Sequence, residues 1–307
     1  MSENNTIQEQ NTAVQTPAEE PKKRFRVGFV FLAIVPMAVL MMVQTVSQLP
    51  FLVLAVVEAM NKAETQGPDY DMYSEMLNVF NDKYAIFAYL IYAVIGLVIF
   101  SIWYYKGFVK NGPKVKIGDI VSVKSIVGIV CIVAGLFFFT NAFMTLTDKL
   151  LPQVMEEYEM LIETAGLVTN PAITIIYAII LGPILEELCF RGVTYGLLDK
   201  AGLKPGLSIL ISSLLFGAMH LILVQVLYAA FLGMFLGYLR YKYRSIKITI
   251  FAHILFNFTG TYVSLFIEEH FAPSDAVMLI LGGIAMFVLV AAIVLINTDK
   301  KAFKPVK

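Results

Sequence analysis

Charge is scarce in this 307-residue chain. Asp, Glu, Lys and Arg make up only 15% of it, and the 23 basic and 23 acidic side chains cancel. Soluble domains are roughly 25% charged, so an ordinary water-soluble domain is the first class excluded. With no basic domain and no acidic block, nothing points to nucleic acid. The two cysteines, Cys131 and Cys189, allow no disulfide framework and lack the C-x-x-C spacing of metal sites, so both are expected to be buried free thiols. The chain also lacks H-E-x-x-H and G-x-S-x-G, the local signatures of helical zinc proteases and serine hydrolases. Residues 1–21 contain no apolar run and read as a disordered tail, not a secretory signal. What is abundant is apolar surface: 58% of residues are hydrophobic and the mean hydropathy is +0.75.

Such a composition predicts an all-α, multi-pass transmembrane bundle. A bilayer crossing takes about 20 mostly apolar residues. Eight candidate spans emerge, at 27–57, 84–105, 126–147, 171–190, 205–224, 225–239, 248–267 and 276–296. The first is too long for one upright crossing and contains Pro36, Gln44, Gln48 and Pro50, so a kink or an extension beyond the membrane is expected. With the N-terminus inside, 20 of the 23 basic residues fall on inner segments, and only Lys62, Lys83 and Lys149 fall outside. This is the positive-inside pattern, and it places both termini in the cytosol. The outer loops, 58–83 and 148–170, are acidic and expected to be partly helical. The organisation read from the chain is a polar, basic-anchored tail over 1–26, N-terminal helices over 27–165, a catalytic helical core over 166–299 and a basic tail over 300–307.

Few ionisable residues lie inside the spans. Apart from Glu58 and Arg191 at span ends they are Glu186, Glu187, His220 and His253. A charged side chain at mid-span costs about 2.5–3.5 kcal/mol on insertion scales, so such residues usually face a protein interior or a hydrated cavity. Glu187 and Arg191 are four apart and can pair on one helix face, while Glu186 points elsewhere. His253 and Asn257 are also four apart, as are Phe216 and His220. The third histidine, His270, follows Glu268 and Glu269 and reads as a surface residue. Three helices can thus bring a glutamate, a histidine and a His/Asn pair to one centre. One free carboxylate with two histidines suits water activation by a general base. Glu186, His220 and His253 also make the ligand set of many hydrolytic zinc sites. An amide such as Asn257 can donate to an oxyanion. Both routes lead to hydrolysis of an acyl bond.

E-E-x-x-x-R at Glu186, Glu187 and Arg191, F-x-x-x-H at Phe216 and His220, and H-x-x-x-N at His253 and Asn257 together resemble the CAAX-protease and bacteriocin-processing (CPBP, or Abi) family of intramembrane proteases. The likeness covers roughly residues 170–260. It implies an eight-helix bundle whose site opens to the cytosolic side and whose substrate is a membrane-associated peptide or protein. It further implies that Glu186 and His220 activate water, that His253 and Asn257 steady the oxyanion, and that Glu187 and Arg191 support the glutamate. Zinc is left open by the resemblance, because a metal-free glutamate mechanism is argued for the same family. Two other classes share these features: a proton-coupled transporter, and a non-catalytic immunity or scaffold protein on the same fold. The depths disagree on this reading. Glu186 and His253 lie near the cytosolic ends of their spans, whereas His220 lies about 22 Å along from Pro205 at 1.5 Å per residue, which suggests an oblique fifth span.

Overall fold

The computed structural model describes residues 25–66, 70–111, 116–164, 171 and 174–302. Most of the tail read over 1–26, and residues 303–307 of the basic tail, lie outside the described residues. Among the described residues the regular structure is helical, without strands. The principal helices are α1 (Val27–Ala63), α2 (Met72–Val109), α3 (Val123–Leu150), α4 (Pro152–Thr164), α5 (174–200), α6 (Pro205–Ala218), α7 (Leu223–Tyr243), α8 (Ile246–Phe271) and α9 (Asp275–Asn297).

Six of these (α1, α2, α3, α7, α8 and α9) are long and apolar enough to cross a bilayer. The chain is a multi-pass integral membrane protein. Outward-facing Phe287, Val290 and Val294 on α9 are more than half exposed, as lipid contact requires. α1 is 37 residues long, about 55 Å at 1.5 Å per residue, which exceeds a hydrocarbon core about 30 Å thick. It is interrupted at Ala33–Ile34, just before Pro36, and carries Pro50 within its longer segment. Local chemistry sets several helix starts. Asp71 caps α2 by accepting from the Tyr73 and Ser74 amides, Ser122 and Ser125 form a capping box on α3, and Pro205 stands at the first position of α6.

α3 and α9 pack antiparallel along a heptad-spaced seam. A Cβ added at Gly128 would lie 2.5 Å from Ile296, at Gly135 2.7 Å from Leu289, and at Gly282 2.2 Å from Ala142. Small residues allow this close approach where lipid gives helices no hydrophobic reason to associate.

Two expected spans differ from plain crossings. α6 has 14 residues, about 21 Å at 1.5 Å per residue, which is short of a hydrocarbon core about 30 Å thick. It forms a tight hairpin with α7, turning at 219–222 and not at the expected 224/225 boundary. α5 does not end at 190 but continues to Lys200, because Arg191 is buried in the protein instead of marking the interface. Glu186 therefore lies about 21 Å along the chain axis from Lys200, close to the depth of His220 measured from Pro205 at about 1.5 Å per residue. The extension of α5 to Lys200 by itself brings the two depths together. Cys189 is a buried free thiol and Cys131 a partly buried one. His270 is exposed at the end of α8, which extends to Phe271 and shortens the expected outer loop to 272–274.

Candidate active site

Three of the singled-out residues lie on α5, whose regular turn Gly182–Glu187 is flanked by π-helical segments Thr174–Leu181 and Leu188–Thr194. Such wide turns shift the angular register of a helix and often mark functional positions. Here they accompany two adjacent carboxylates with opposite surroundings. The Glu187 side chain is 0% exposed; its Oε1 accepts from an Arg191 guanidinium nitrogen at 2.7 Å and from His253 Nδ1–H at 3.0 Å. Arg191, equally buried, donates through its other terminal nitrogen to the Gly233 carbonyl at 3.1 Å, and its guanidinium carbon lies 4.4 Å from the Phe216 ring centroid. A Cβ at Gly233 would stand 3.1 Å from that nitrogen, so the glycine makes room for the guanidinium. Burying an ion costs several kcal/mol, and the pair persists only with such geometry and additional partners.

Glu186 faces a cavity of about 620 Å³, which it lines together with His220, His253 and Asn257, and its side chain is 16% exposed. Among the described residues lining this cavity it is the only carboxylate. His253 Nε2 stands 3.7 Å from Glu186 Oε2, beyond direct hydrogen-bond range. Because His253 gives its Nδ1–H to Glu187, Nε2 is the nitrogen turned to Glu186. Glu187 and Arg191 thus brace His253, where the resemblance implied support of Glu186.

His220 sits in the α6–α7 turn. Its backbone N–H donates to Gly217 O at 3.0 Å, and the next residue, Leu221, adopts a left-handed φ of 64°. Its Nδ1–H donates to Phe216 O at 2.9 Å, leaving Nε2 as the acceptor nitrogen. The Phe216 ring packs edge-on to both imidazoles, at 5.1 Å from His220 and 5.6 Å from His253. The same ring carries Arg191 on its face. Asn257, one turn beyond His253, donates from Nδ2 to Ala178 O at 2.8 Å, which uses one of its two amide protons. All six sequence-derived residues are thereby gathered around one region. Four line the cavity, and two lie behind it.

Zinc would call for three ligating side chains at a common point. Among the described residues no three His, Cys, Asp or Glu side chains are grouped closely enough to hold a metal ion. Glu186, His220 and His253 are not such a group as they stand, and no chemical step below is routed through a metal.

Sequence reasoning passed over the cavity's tyrosines: Tyr89 and Tyr92 on α2, Tyr158 on α4, Tyr177 on α5 and Tyr228 on α7. Tyr177 stacks on Tyr89 with ring centroids 4.6 Å apart and tilts against Tyr92 at 6.0 Å. Neutral tyrosines carry no charge penalty in a membrane, so nothing in the spans flagged them. The cavity's direction also departs from expectation. Its lining continues from Glu186 and His253 through Asn257, Ser264 and Leu265 on α8, and through Tyr228 and Gln225 on α7, to α4. That is the end opposite the basic segments. The packing explains it: the Glu187–Arg191–Gly233 cluster closes the basic side, whereas the short α6–α7 hairpin leaves the other side hollow.

Residues 168–259 match the family model described as Type II CAAX prenyl endopeptidase Rce1-like. The interval holds all six site residues and is the family that the three motifs resemble. A protein of Bacillus subtilis (strain 168) named "Putative membrane peptidase YdiL" is 33% identical over 116 residues, covering 36% of this chain and 46% of that protein. The chain thus spans less than half the length of the curated relative it matches. No solved structure matches it.

Proposed function

From the premise that residues 168–259 carry the sequence of the CAAX prenyl endopeptidase family, we propose that this chain is an intramembrane endopeptidase that hydrolyses peptide bonds of membrane-associated substrates. The observation that carries the reading is the lone cavity-facing carboxylate, Glu186, beside a histidine whose other nitrogen is held by a buried Glu187–Arg191 pair. Glu186 takes a proton from water as the water oxygen attacks the scissile carbonyl carbon. The oxyanion receives hydrogen bonds from the second amide proton of Asn257 and from His253 Nε2–H when that ring is doubly protonated. His220 Nε2 orients the attacking water. Glu186 then passes its proton to the departing nitrogen, the C–N bond breaks, and the remaining water proton moves from the new carboxylic acid to the amine, so that a carboxylate and an ammonium group are released. Proton transfer by a placed side chain contributes about 10²–10⁴-fold, and an oxyanion donor about 10²–10³-fold.

With the basic segments in the cytosol, the cavity extends from the catalytic residues toward the outer leaflet. Purified protein in detergent should cleave a membrane-associated peptide, and Glu186→Ala or His220→Ala should abolish cleavage. Unchanged turnover in both variants refutes the assignment. Metal analysis of the purified wild-type protein, with cleavage measured before and after chelator treatment, decides whether a metal takes part.

A further inference from the structure

Beyond the reacting groups, the cavity is roofed by a helix outside the family-matched interval. α4 leaves α3 at Leu151, where Pro152 prevents the helix from continuing straight. Its two faces differ. Glu156, Glu157, Glu159 and Glu163 are exposed, while Tyr158 and Ile162, four apart and partly buried, line the cavity with Leu161, which keeps about half of its surface exposed. Across from them Gln225 and Tyr228, three apart on α7, line the same cavity.

The chemistry of this wall is selective. Among the described residues lining the cavity the only Asp, Glu, His, Lys or Arg side chains are Glu186, His220 and His253, and all three lie at the reacting end. A charged substrate side chain reaching α4 would be desolvated without a counter-charge, at a cost of several kcal/mol. Tyrosine rings and aliphatic side chains instead offer contact area with little conformational entropy to lose.

We propose that Tyr158, Leu161 and Ile162 on α4, with Tyr228 on α7, form the subsite that selects a large uncharged side chain of the substrate near the cleaved bond. Specificity then resides on α4, outside residues 168–259, and the reacting groups lie within them. This rests on the hydrolytic reading above.

The test uses the full chain in lipid vesicles and membrane-associated peptides identical except at one position near the cleaved bond, occupied by Phe, Leu, Ala, Lys or Glu. The wild-type chain should favour Phe and Leu over Lys and Glu by about tenfold or more in kcat/KM, mainly through KM. Tyr158→Ala should narrow the difference between Phe and Ala, and Ile162→Lys should raise the Glu peptide relative to Phe by about tenfold. If each variant changes all five peptides by one common factor, or changes none, the subsite is overturned while the hydrolytic reading stands. If the wild-type chain cleaves no peptide and Glu186→Gln behaves identically, the hydrolytic reading fails and takes the subsite with it.

Discussion

Glu186 and Glu187 are neighbours in the chain and occupy two different media. Glu187 belongs to a dry cluster at the basic end of the cavity, where Arg191, His253 and the Gly233 carbonyl leave its side chain no solvent access. Glu186 belongs to the cavity wall, with tyrosines and amides around it and no arginine partner. A carboxylate held in a buried ion pair is committed to its partners and serves to fix them. One that faces a cavity is available to take a proton. On the proposed function the contrast gives rigidity to one region and chemistry to the other, so mutations on the two sides should fail in different ways.

The sharpest separation comes from Glu186→Gln, which keeps the shape and removes the base. It should lower turnover by about 10²–10⁴-fold with the thermal midpoint unchanged. A large drop in midpoint would show that Glu186 is structural and erase the contrast. Next in size is Glu187→Ala. Stranding Arg191 in the interior should cost about 3–5 kcal/mol of stability, read by denaturation of the detergent-solubilised protein. Replacing Glu187 and Arg191 together by Leu and Met should recover most of that stability, since a buried pair is often worth no more than packed apolar groups. Turnover should not return, because His253 loses its brace. Full recovery of turnover would deny Glu187 its positioning role.

Smaller effects probe the hairpin that sets the depth of His220. A Cβ at Gly217 would stand 2.6 Å from the Val226 carbonyl oxygen. Gly217→Ala should therefore force the helices apart and cost about 1–3 kcal/mol, with activity falling as His220 shifts. Least affected should be the basic end, where Asp299 follows α9. Burial raises its pKa, but hydrogen bonds from the Ser122 and Ser125 hydroxyls and the Lys301 amide outweigh this and hold it below the ordinary aspartate value. A carboxyl depressed on folding contributes stability above its unfolded pKa of about 3.9, and the contribution is lost as pH falls through the lower folded value. Asp299→Asn should flatten the acid limb of the stability profile and leave neutral-pH turnover intact. An unchanged acid limb would contradict that account.

Much of this was legible in the residues. Long apolar runs in a charge-poor chain announce helices, because a bilayer admits no other backbone arrangement without closing a barrel. Four-residue spacings placed Glu187 with Arg191 and His253 with Asn257. The length of α5 was not legible, since Arg191 reads as an interfacial charge until Glu187 and the Gly233 carbonyl are seen to receive it. Nor was the turn at His220: an uninterrupted apolar run hides a hairpin whose only local mark is a left-handed Leu221. The heptad seam of Gly128, Gly135 and Ala142 was present in the sequence, but its partners lie far along the chain. The tyrosine wall escaped because uncharged side chains leave no anomaly against an apolar background.

The most direct measurement compares membrane fractions from cells making the wild-type chain and cells making Glu186→Gln, with cleavage carried out in ¹⁸O-water and new peptide C-termini read by mass spectrometry. Glu186-activated water predicts new C-termini carrying ¹⁸O with the wild-type chain, and their loss with the variant at equal protein abundance. The same labelled C-termini in equal yield from both would contradict it.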